Sequence, residues 1–191
     1  MIVTIADYMT FTGVTELTNE TQVTEAIRTA IQYAETLCSR TLAVHSATTP
    51  HTQVWQFSGK GAEKLYTPNA PIKSITSIKY WNGTAYELID SASYTSVIDD
   101  NSDYIYFREG YVWDKGVANW QVIYVYGFTT LPADLKRAIL QIAQSYSSSI
   151  TRDPSIKSQS DGEQTITYRE VTEPTVPNEA MSILQHYRRF F

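Results

Sequence analysis

Cysteine and histidine are scarce in this chain, and this scarcity limits the kinds of site that it can build. Of the 191 residues, one is cysteine and three are histidine. A single cysteine permits no intramolecular disulfide, and it excludes a zinc site made from several cysteines. Cys38 falls within the apolar pattern of a predicted helix, so we expect a small buried side chain rather than a nucleophile.

The chain also lacks an excess of basic residues and a long apolar run. Fifteen Lys and Arg against twenty Asp and Glu give a formal net charge of -5 at pH 7. A free-standing nucleic-acid-binding protein usually has a basic surface, which this composition does not favour. No apolar run approaches the about 18 residues that cross a bilayer. The N-terminus has no basic region followed by an apolar run, so no signal peptide is predicted and synthesis in the cytosol is expected.

No catalytic or metal-binding motif is visible in the sequence. His45 and His51 lie in a threonine-rich stretch that we interpret as a surface linker. Asp99, Asn101 and Asp103 alternate like the start of a calcium loop, but a tyrosine replaces the required glycine and the closing glutamate is absent. We therefore predict no enzymatic activity, no cofactor and no metal site.

Two amphipathic helices give the clearest positive signal. Asn19 and Gln22 approximate a capping box, and apolar residues follow at helical spacing through Arg40. The second helix follows a strand that ends at Gly127, where glycine permits a sharp change of direction. Pro132 suits the first turn of that helix, because its missing amide would have no partner there. The apolar stripe of the second helix consists of Leu135, Ile139, Ile142 and Tyr146.

The region between the two helices is predicted to be an antiparallel sheet. Tyr, Trp, Val, Ile and Thr dominate it, with turn residues at short intervals. Asn82-Gly83 is a strong signal for a two-residue hairpin turn. The predicted strands are 75–81 with 86–89, 94–98 with 104–107, and 120–126.

This order of elements predicts an α+β fold, with a helical pair or bundle as the core and the antiparallel sheet inserted into it. We divide the chain into an N-terminal helical part (1–50), an inserted β subdomain (51–128), a core helix (129–150), a flexible arm (151–176) and a C-terminal helix (177–191). Within the arm, the polar residues 155–164 are expected to form a mobile loop and 165–168 a short strand.

Aromatic residues are abundant, with fourteen tyrosines and four tryptophans. The obvious candidates for binding are Trp81, Tyr86, Trp113 and Trp120. Such rings serve three purposes: cross-strand packing in a sheet, anchoring of a protein interface, and stacking on a sugar or a base. The sequence alone leaves all three open.

Several segments together resemble one known family. They are the early amphipathic helix, which contains Ala26 to Glu35 and ends near Cys38 to Leu42, and the strand and helix that run from Asn119 through Gly127 and Pro132 to Ile139. The others are the polar arm from Ile156 to Gly162 with the strand Thr165 to Tyr168, and the terminal Leu184 to Arg189. In these segments the chain resembles the head–tail connector proteins of tailed bacteriophages, also called head-completion or adaptor proteins. It departs from the family where the second helix ends in Ser145-Tyr146-Ser147-Ser148-Ser149.

The resemblance implies a structural protein of the virion, made in the host cytoplasm and placed at the head–tail interface. Such connectors form a ring, typically of twelve subunits, beneath the portal. They extend the DNA channel, help to retain the genome and dock the tail. The implied partners are the chain itself, the portal, the tail or next connector, and passing double-stranded DNA bound without sequence specificity; no membrane is involved.

From this resemblance we predict two sets of contact residues. The predicted portal contact at the C-terminus is Tyr187, Arg188, Arg189, Phe190 and Phe191. The predicted inter-subunit arm contains Ile156, Lys157, Ser158, Thr165, Ile166 and Tyr168. The alternative function is a carbohydrate- or receptor-binding module of a phage tail or baseplate, which the aromatic sheet would supply. A small hydrolase has no triad or metal set to support it.

Overall fold

The computed structural model describes residues 2–46, 48, 50–96, 103–107, 112–150, 158–161, 164–167 and 176–188. Within these ranges the chain forms helices and antiparallel sheets, which confirms the predicted α+β class. The chain divides into two units. We call Met1–Ser39 with Pro132–Phe190 the helical unit, and Arg40–Leu131 the sheet unit.

The helical unit contains the helices α1 (Ile5–Thr12), α2 (Glu20–Cys38), α3 (Ala133–Ile150) and α4 (Asn178–His186). Side chains cap the first two. Thr4 and Asp7 form a reciprocal capping box on α1. Asn19 Oδ1 accepts a hydrogen bond from the Gln22 amide at 3.2 Å, which confirms the predicted N-cap of α2.

The two long helices α2 and α3 pack against each other, as the sequence predicted, and α4 packs on both. The fully buried residues of this core include Ala26, Ile27, Ala30, Ala34, Leu135, Ala138, Ile139, Ile142, Ala180 and Leu184. Small residues on α2 let α3 approach closely, while the larger apolar residues come from α3. Cys38 is buried as predicted, and its Sγ lies 3.5 Å from the Leu184 carbonyl oxygen.

Nine strands are present in the described residues: β1 (His51–Phe57), β2 (Lys64–Tyr66), β3 (Ile72–Trp81), β4 (Tyr86–Leu88), β5 (Tyr94–Ser96), β6 (Tyr104–Phe107), β7 (Trp120–Tyr126), β8 (Ser158–Asp161) and β9 (Gln164–Thr167). The inserted region holds two sheets rather than one. Their strand orders are β1-β7-β3-β4 and β2-β6-β5. His51 begins β1, so the predicted linker is wrong at that residue.

Both predicted hairpins are confirmed, with one difference in the first turn. The loop between β3 and β4 has four residues, because Trp81 pairs with Tyr86. The Asn82 Oδ1 accepts hydrogen bonds from the amides of Thr84 and Ala85, at 2.8 and 2.9 Å. This side chain closes the turn, so the two-residue Asn-Gly geometry is not needed. In the second hairpin β5 pairs with β6, and the connecting residues 97–102 lie outside the described ones.

The core of the sheet unit is aromatic. Trp113 is 1% exposed and Trp120 is 4% exposed, and their rings meet edge to face with centroids 5.0 Å apart. Along β7, alternate residues from Trp120 to Tyr126 are buried, as a half-covered strand requires. Two of the four candidate binding aromatics therefore serve as core packing.

Gly127 changes the direction of the chain after β7, as predicted. Its φ is +124°, and a Cβ there would lie 3.1 Å from both the Ala43 carbonyl oxygen and the His45 nitrogen. The next residue, Phe128, donates to the Ala43 carbonyl and accepts from the His45 amide, both at 2.8 Å. The segments that enter and leave the sheet unit are thus hydrogen-bonded to each other.

Pro132 stands one position earlier than predicted. Its carbonyl accepts the first helical hydrogen bond of α3, from the Lys136 amide at 2.9 Å. It is therefore the N-cap residue, and Ala133 begins the helix. A one-residue shift at a helix end changes no side-chain face.

The polar segment 155–164 was expected to be a loop, but it contains β8. This strand pairs antiparallel with β9 through Ser158–Thr167, Gln159–Ile166, Ser160–Thr165 and Asp161–Gln164. We call the pair β8–β9 the ribbon. Backbone pairing forms β8 here although its Ser-Gln-Ser-Asp sequence has little intrinsic strand preference.

Candidate functional site

The C-terminal helix α4 is fixed to the helical unit at both ends. Near its start, the Glu179 carboxylate binds Arg137 at 3.1 Å and accepts from Gln141 Nε2 at 2.7 Å. After its end, the Tyr187 hydroxyl donates to the Asp134 carboxylate at 2.8 Å. The helix α4 is therefore bound to the rest of the helical unit at both of its ends.

The predicted portal residues divide into three kinds. Tyr187 is half-buried and uses its hydroxyl within the chain, on Asp134. Arg188 is exposed and lines a shallow cavity of about 200 Å³ together with Tyr33, Leu37 and Ser39. The remaining three, residues 189–191, lie outside the described part of the chain.

Three of the predicted arm residues lie on the ribbon. Ser158 is on β8, and Thr165 and Ile166 are on β9. The other three, Ile156, Lys157 and Tyr168, lie outside the described residues. The three described residues of the predicted arm thus lie on paired strands.

A further surface, which the sequence did not single out as a whole, lies at the tip of the β3–β4 hairpin. Its exposed apolar residues are Trp81 at 39%, Leu88 at 68% and Val117 at 91% exposure. The Trp81 and Tyr86 rings meet edge to face at 5.2 Å, and the Tyr86 hydroxyl donates to the Ala118 carbonyl at 2.6 Å. We call Trp81, Tyr86, Leu88 and Val117 the hairpin-tip surface.

The loop that presents Val117 is held in place by hydrogen bonds. Ala118 adopts a φ of +48°, and its amide donates to Ser58 Oγ at 3.0 Å. Asn119 accepts from the Gly59 amide and donates to the Asp114 carbonyl, both at 2.9 Å. A group of exposed apolar residues, rather than a single one, is typical of a protein contact. The edge-to-face pair of Trp81 and Tyr86 does not form one flat stacking platform.

One partly buried ion pair joins α1 to α3. Asp7 Oδ1 lies 2.6 Å from Lys136 Nζ. Partial burial alone raises the pKa of the Asp7 carboxyl, but hydrogen bonds from Lys136 and from the amide and hydroxyl of Thr4 outweigh it. The pKa of Asp7 therefore lies below its usual value of 3.8.

This pair predicts an acid-dependent loss of stability. Because the folded state lowers the pKa of Asp7, its contribution is present above about pH 4 and disappears as pH falls through the folded pKa. We expect Asp7→Asn to cost less than about 1 kcal/mol at pH 7, since the pair is partly exposed. Urea unfolding should show this difference shrinking at pH 3. Glu25→Gln, which removes an exposed pair with Arg28, is the control and should show no such difference. A difference for Asp7→Asn that is equal at both pH values would contradict the assignment.

Metal ligands and membrane spans were also sought in the part of the chain that the structure describes. There, no group of three or more His, Cys, Asp and Glu side chains could hold a metal ion. No described helix is long and apolar enough to cross a membrane.

Comparison with known proteins decides the family. A model of the head completion protein family matches residues 1–190. The chain belongs to the head completion protein family. Membership confirms the resemblance drawn from the sequence, and it gives this head completion protein a structural role in the head-to-tail region of a phage-like particle. No curated protein matches the chain.

Solved structures with the same fold come from the necks of gene transfer agent (GTA) particles. One chain, from the neck of an empty GTA particle computed with C6 symmetry, has a TM-score of 0.65 and 14% identity, covering 100% of this chain and 91% of that one. A second, from the neck of a native GTA particle computed with C12 symmetry, has a TM-score of 0.59 and 14% identity, covering 90% and 84%. A third, from the virion of a native GTA particle, has a TM-score of 0.63 and 14% identity, covering 100% and 91%. At 14% identity, the likeness shows that this chain shares the fold of those chains.

Proposed function

We propose that this head completion protein assembles as a closed ring beneath the portal of a phage-like particle. The ring extends the DNA channel, retains the packaged genome and docks the tail. The match of the family model over residues 1–190 is the observation that supports this most strongly. The C6 and C12 symmetry of the GTA necks that share its fold is consistent with a ring, typically of twelve subunits. Assembly would take place in the host cytoplasm, and the finished protein would be in the virion.

Each described surface receives one partner in this proposal. Arg188 and the residues that follow it at the C-terminus contact the portal. The ribbon contacts a neighbouring subunit, and the hairpin-tip surface contacts the tail or the next connector. The formal charge of -5 suits a channel wall, because a strongly basic wall would bind the phosphates of passing DNA.

The structure determines how the portal contact should be tested. A deletion after Pro177 would remove Ala180 and Leu184 from the core of the helical unit. Such a variant would lose stability as well as any contact, so its result would be ambiguous. A substitution at Arg188 removes no buried residue of α4, since this side chain is exposed.

We expect Arg188→Glu to abolish attachment to the portal while ring formation continues. A reversed charge at an interface costs several kcal/mol, enough to reduce binding by about a hundredfold or more. Electron microscopy of the concentrated protein, with and without the isolated portal, measures both properties. Arg28→Glu changes the same residue type at an exposed site on α2 and should leave attachment unchanged. Normal attachment of the Arg188→Glu ring would reject the portal contact, and absence of any ring would reject the assembly.

The carbohydrate-binding alternative receives little support from the geometry. Of the four candidate aromatics, Trp113 and Trp120 are in the core, which leaves Trp81 and Tyr86. Tryptophan fluorescence titration with host polysaccharide, or a glycan array, would reveal such binding.

A further inference from the structure

The ribbon is a two-stranded sheet that pairing with another strand would stabilise. Its two strands have four residues each and form a sheet of their own. A two-stranded ribbon alone is only marginally stable in water, and a third strand or packing against a helix is normally needed. The outer edges of β8 and β9 carry no strand in the described part of the chain. These edges are therefore donors for pairing with an exposed sheet edge.

The strand β1 is the most suitable acceptor edge in this chain. It lies at the end of its sheet and pairs with β7 over all seven residues, without a register shift. Among the described residues, no backbone–backbone hydrogen bond outside the sheet involves β1, and the Val54 carbonyl accepts from the Gln53 side chain at 3.0 Å. Its sequence, His-Thr-Gln-Val-Trp-Gln-Phe, contains no charged residue and no proline. Natural edge strands usually carry such residues, or are very short, because these features block unwanted pairing.

The other described edges have that protection. The strands β2, β4 and β5 are only three residues long. In addition, β2 contains Lys64 and β4 contains Glu87. A long and uncharged edge is thus particular to β1 among the described edges of the sheet unit.

We infer that β1 accepts the β9 edge of the ribbon from a second copy of this chain, in the ring proposed above. The sequence of β9, Gln-Thr-Ile-Thr, is uncharged like β1, and its Thr and Ile residues favour strands. The outer edge of β8 is less suitable, since Asp161 would place a charge beside β1. Residues 151–157 and 168–175 join the ribbon to its neighbours. Donor and acceptor lie at different places on the chain, and a head-to-tail contact of this kind gives a ring when its rotation closes.

The pairing of the ribbon shows which amides are available. Asp161 and Gln164 are the last pair of the ribbon before the two connecting residues. In an antiparallel hairpin with two connecting residues, the backbones of this last pair are hydrogen-bonded to each other. Hydrogen-bonded pairs alternate along the ribbon, and the amide of Thr165 therefore points away from β8. By the same alternation, the amide of Ser160 points outward on the opposite edge.

Cross-linking between two singly substituted chains tests this pairing. A chain with Val54→Cys on β1 is mixed with a chain with Thr165→Cys on β9, assembled, and treated with a short bis-maleimide. Cys38 is buried and needs no replacement. The control pairs Thr165→Cys with Leu88→Cys, which is 68% exposed against 55% for Val54 and lies on the far edge of the same sheet. We expect about a hundredfold more cross-linked dimer with Val54→Cys, because pairing raises the local concentration of the two thiols to millimolar.

Proline variants test the edge itself. Thr165→Pro removes the outward amide of β9, and we expect about tenfold weaker ring assembly. Ser160→Pro is the matched control on β8 and should assemble normally. Equal weakening by both prolines, or equal cross-linking at Val54 and Leu88 in visible rings, would overturn the pairing and leave the ring intact. Cross-linking within one chain, in a doubly substituted protein at high dilution, would overturn the role of a second copy. Absence of any ring would overturn both proposals.

Discussion

Replacing Gly59 by alanine is expected to destabilise the sheet unit by about 3 kcal/mol. A Cβ at Gly59 would clash with the Asp114 carbonyl oxygen and lie 2.8 Å from Trp120 Nε1. The backbone cannot simply move away. The Gly59 amide is bound to Asn119 Oδ1 at 2.9 Å, and the Gly59 carbonyl accepts from the Gly116 amide at 3.3 Å. Urea unfolding followed by tryptophan fluorescence measures the effect, since Trp120 is in the core beside the substitution.

Gly83→Ala is the control for this prediction. Gly83 has a φ of +101° but no atom within 4 Å of an added Cβ. It therefore isolates backbone strain from crowding, and we expect a loss of about 1 kcal/mol. The crowding argument fails if the two substitutions reduce the free energy of unfolding equally.

Leu184→Ala is expected to cost 2–5 kcal/mol, the usual range for a leucine removed from a closed core. Leu184 is fully buried where α4 meets the helical unit, and its carbonyl lies beside Cys38. The remaining bonds of α4, through Glu179 and the half-buried Tyr187, are polar and do not replace apolar contact. We therefore expect α4 to detach before the rest of the unit unfolds. Hydrogen exchange of the amides from 178 to 187 would then become faster.

A matched variant separates packing from chemistry. Leu184→Met keeps most of the volume and should cost less than about 1.5 kcal/mol. Portal attachment should follow the same order, with Leu184→Ala weaker than Leu184→Met, because the C-terminal residues are presented by α4. Unchanged exchange in α4 of the Leu184→Ala protein would show that this side chain does not hold the helix.

Local patterns predicted the parts of the fold that depend on neighbours in sequence. Asn19 predicted the start of α2, and the alternation of apolar residues from Trp120 to Tyr126 predicted β7 with both of its ends. Gly127 marked the turn before α3, and its φ of +124° explains why. In each case the signal and its structural cause lie within a few residues, so the sequence is sufficient.

The parts that the sequence did not reveal depend on distant residues. No residue close to β1 in sequence predicts its pairing with β7, about seventy residues away. Such pairing depends on which strand edges remain open in the folded sheet. The strand β8 is polar and is formed by its partner β9. The hairpin-tip surface was missed because Val117 is exposed by the loop bonds of Ala118 and Asn119, which are not visible as a motif.

The hydrogen bonds between Phe128 and residues Ala43 and His45 have a consequence for the order of folding. The helices α2 and α3 are separated by the whole sheet unit, so bringing them together closes a very long loop. Closing roughly ninety residues costs about 2 kcal/mol more in chain entropy than closing about ten. Once the hydrogen bonds between Ala43 and Phe128 have formed, the effective loop between α2 and α3 is only about ten residues long. We therefore expect the insert to form first, and the helices that flank it in sequence to pack together afterwards.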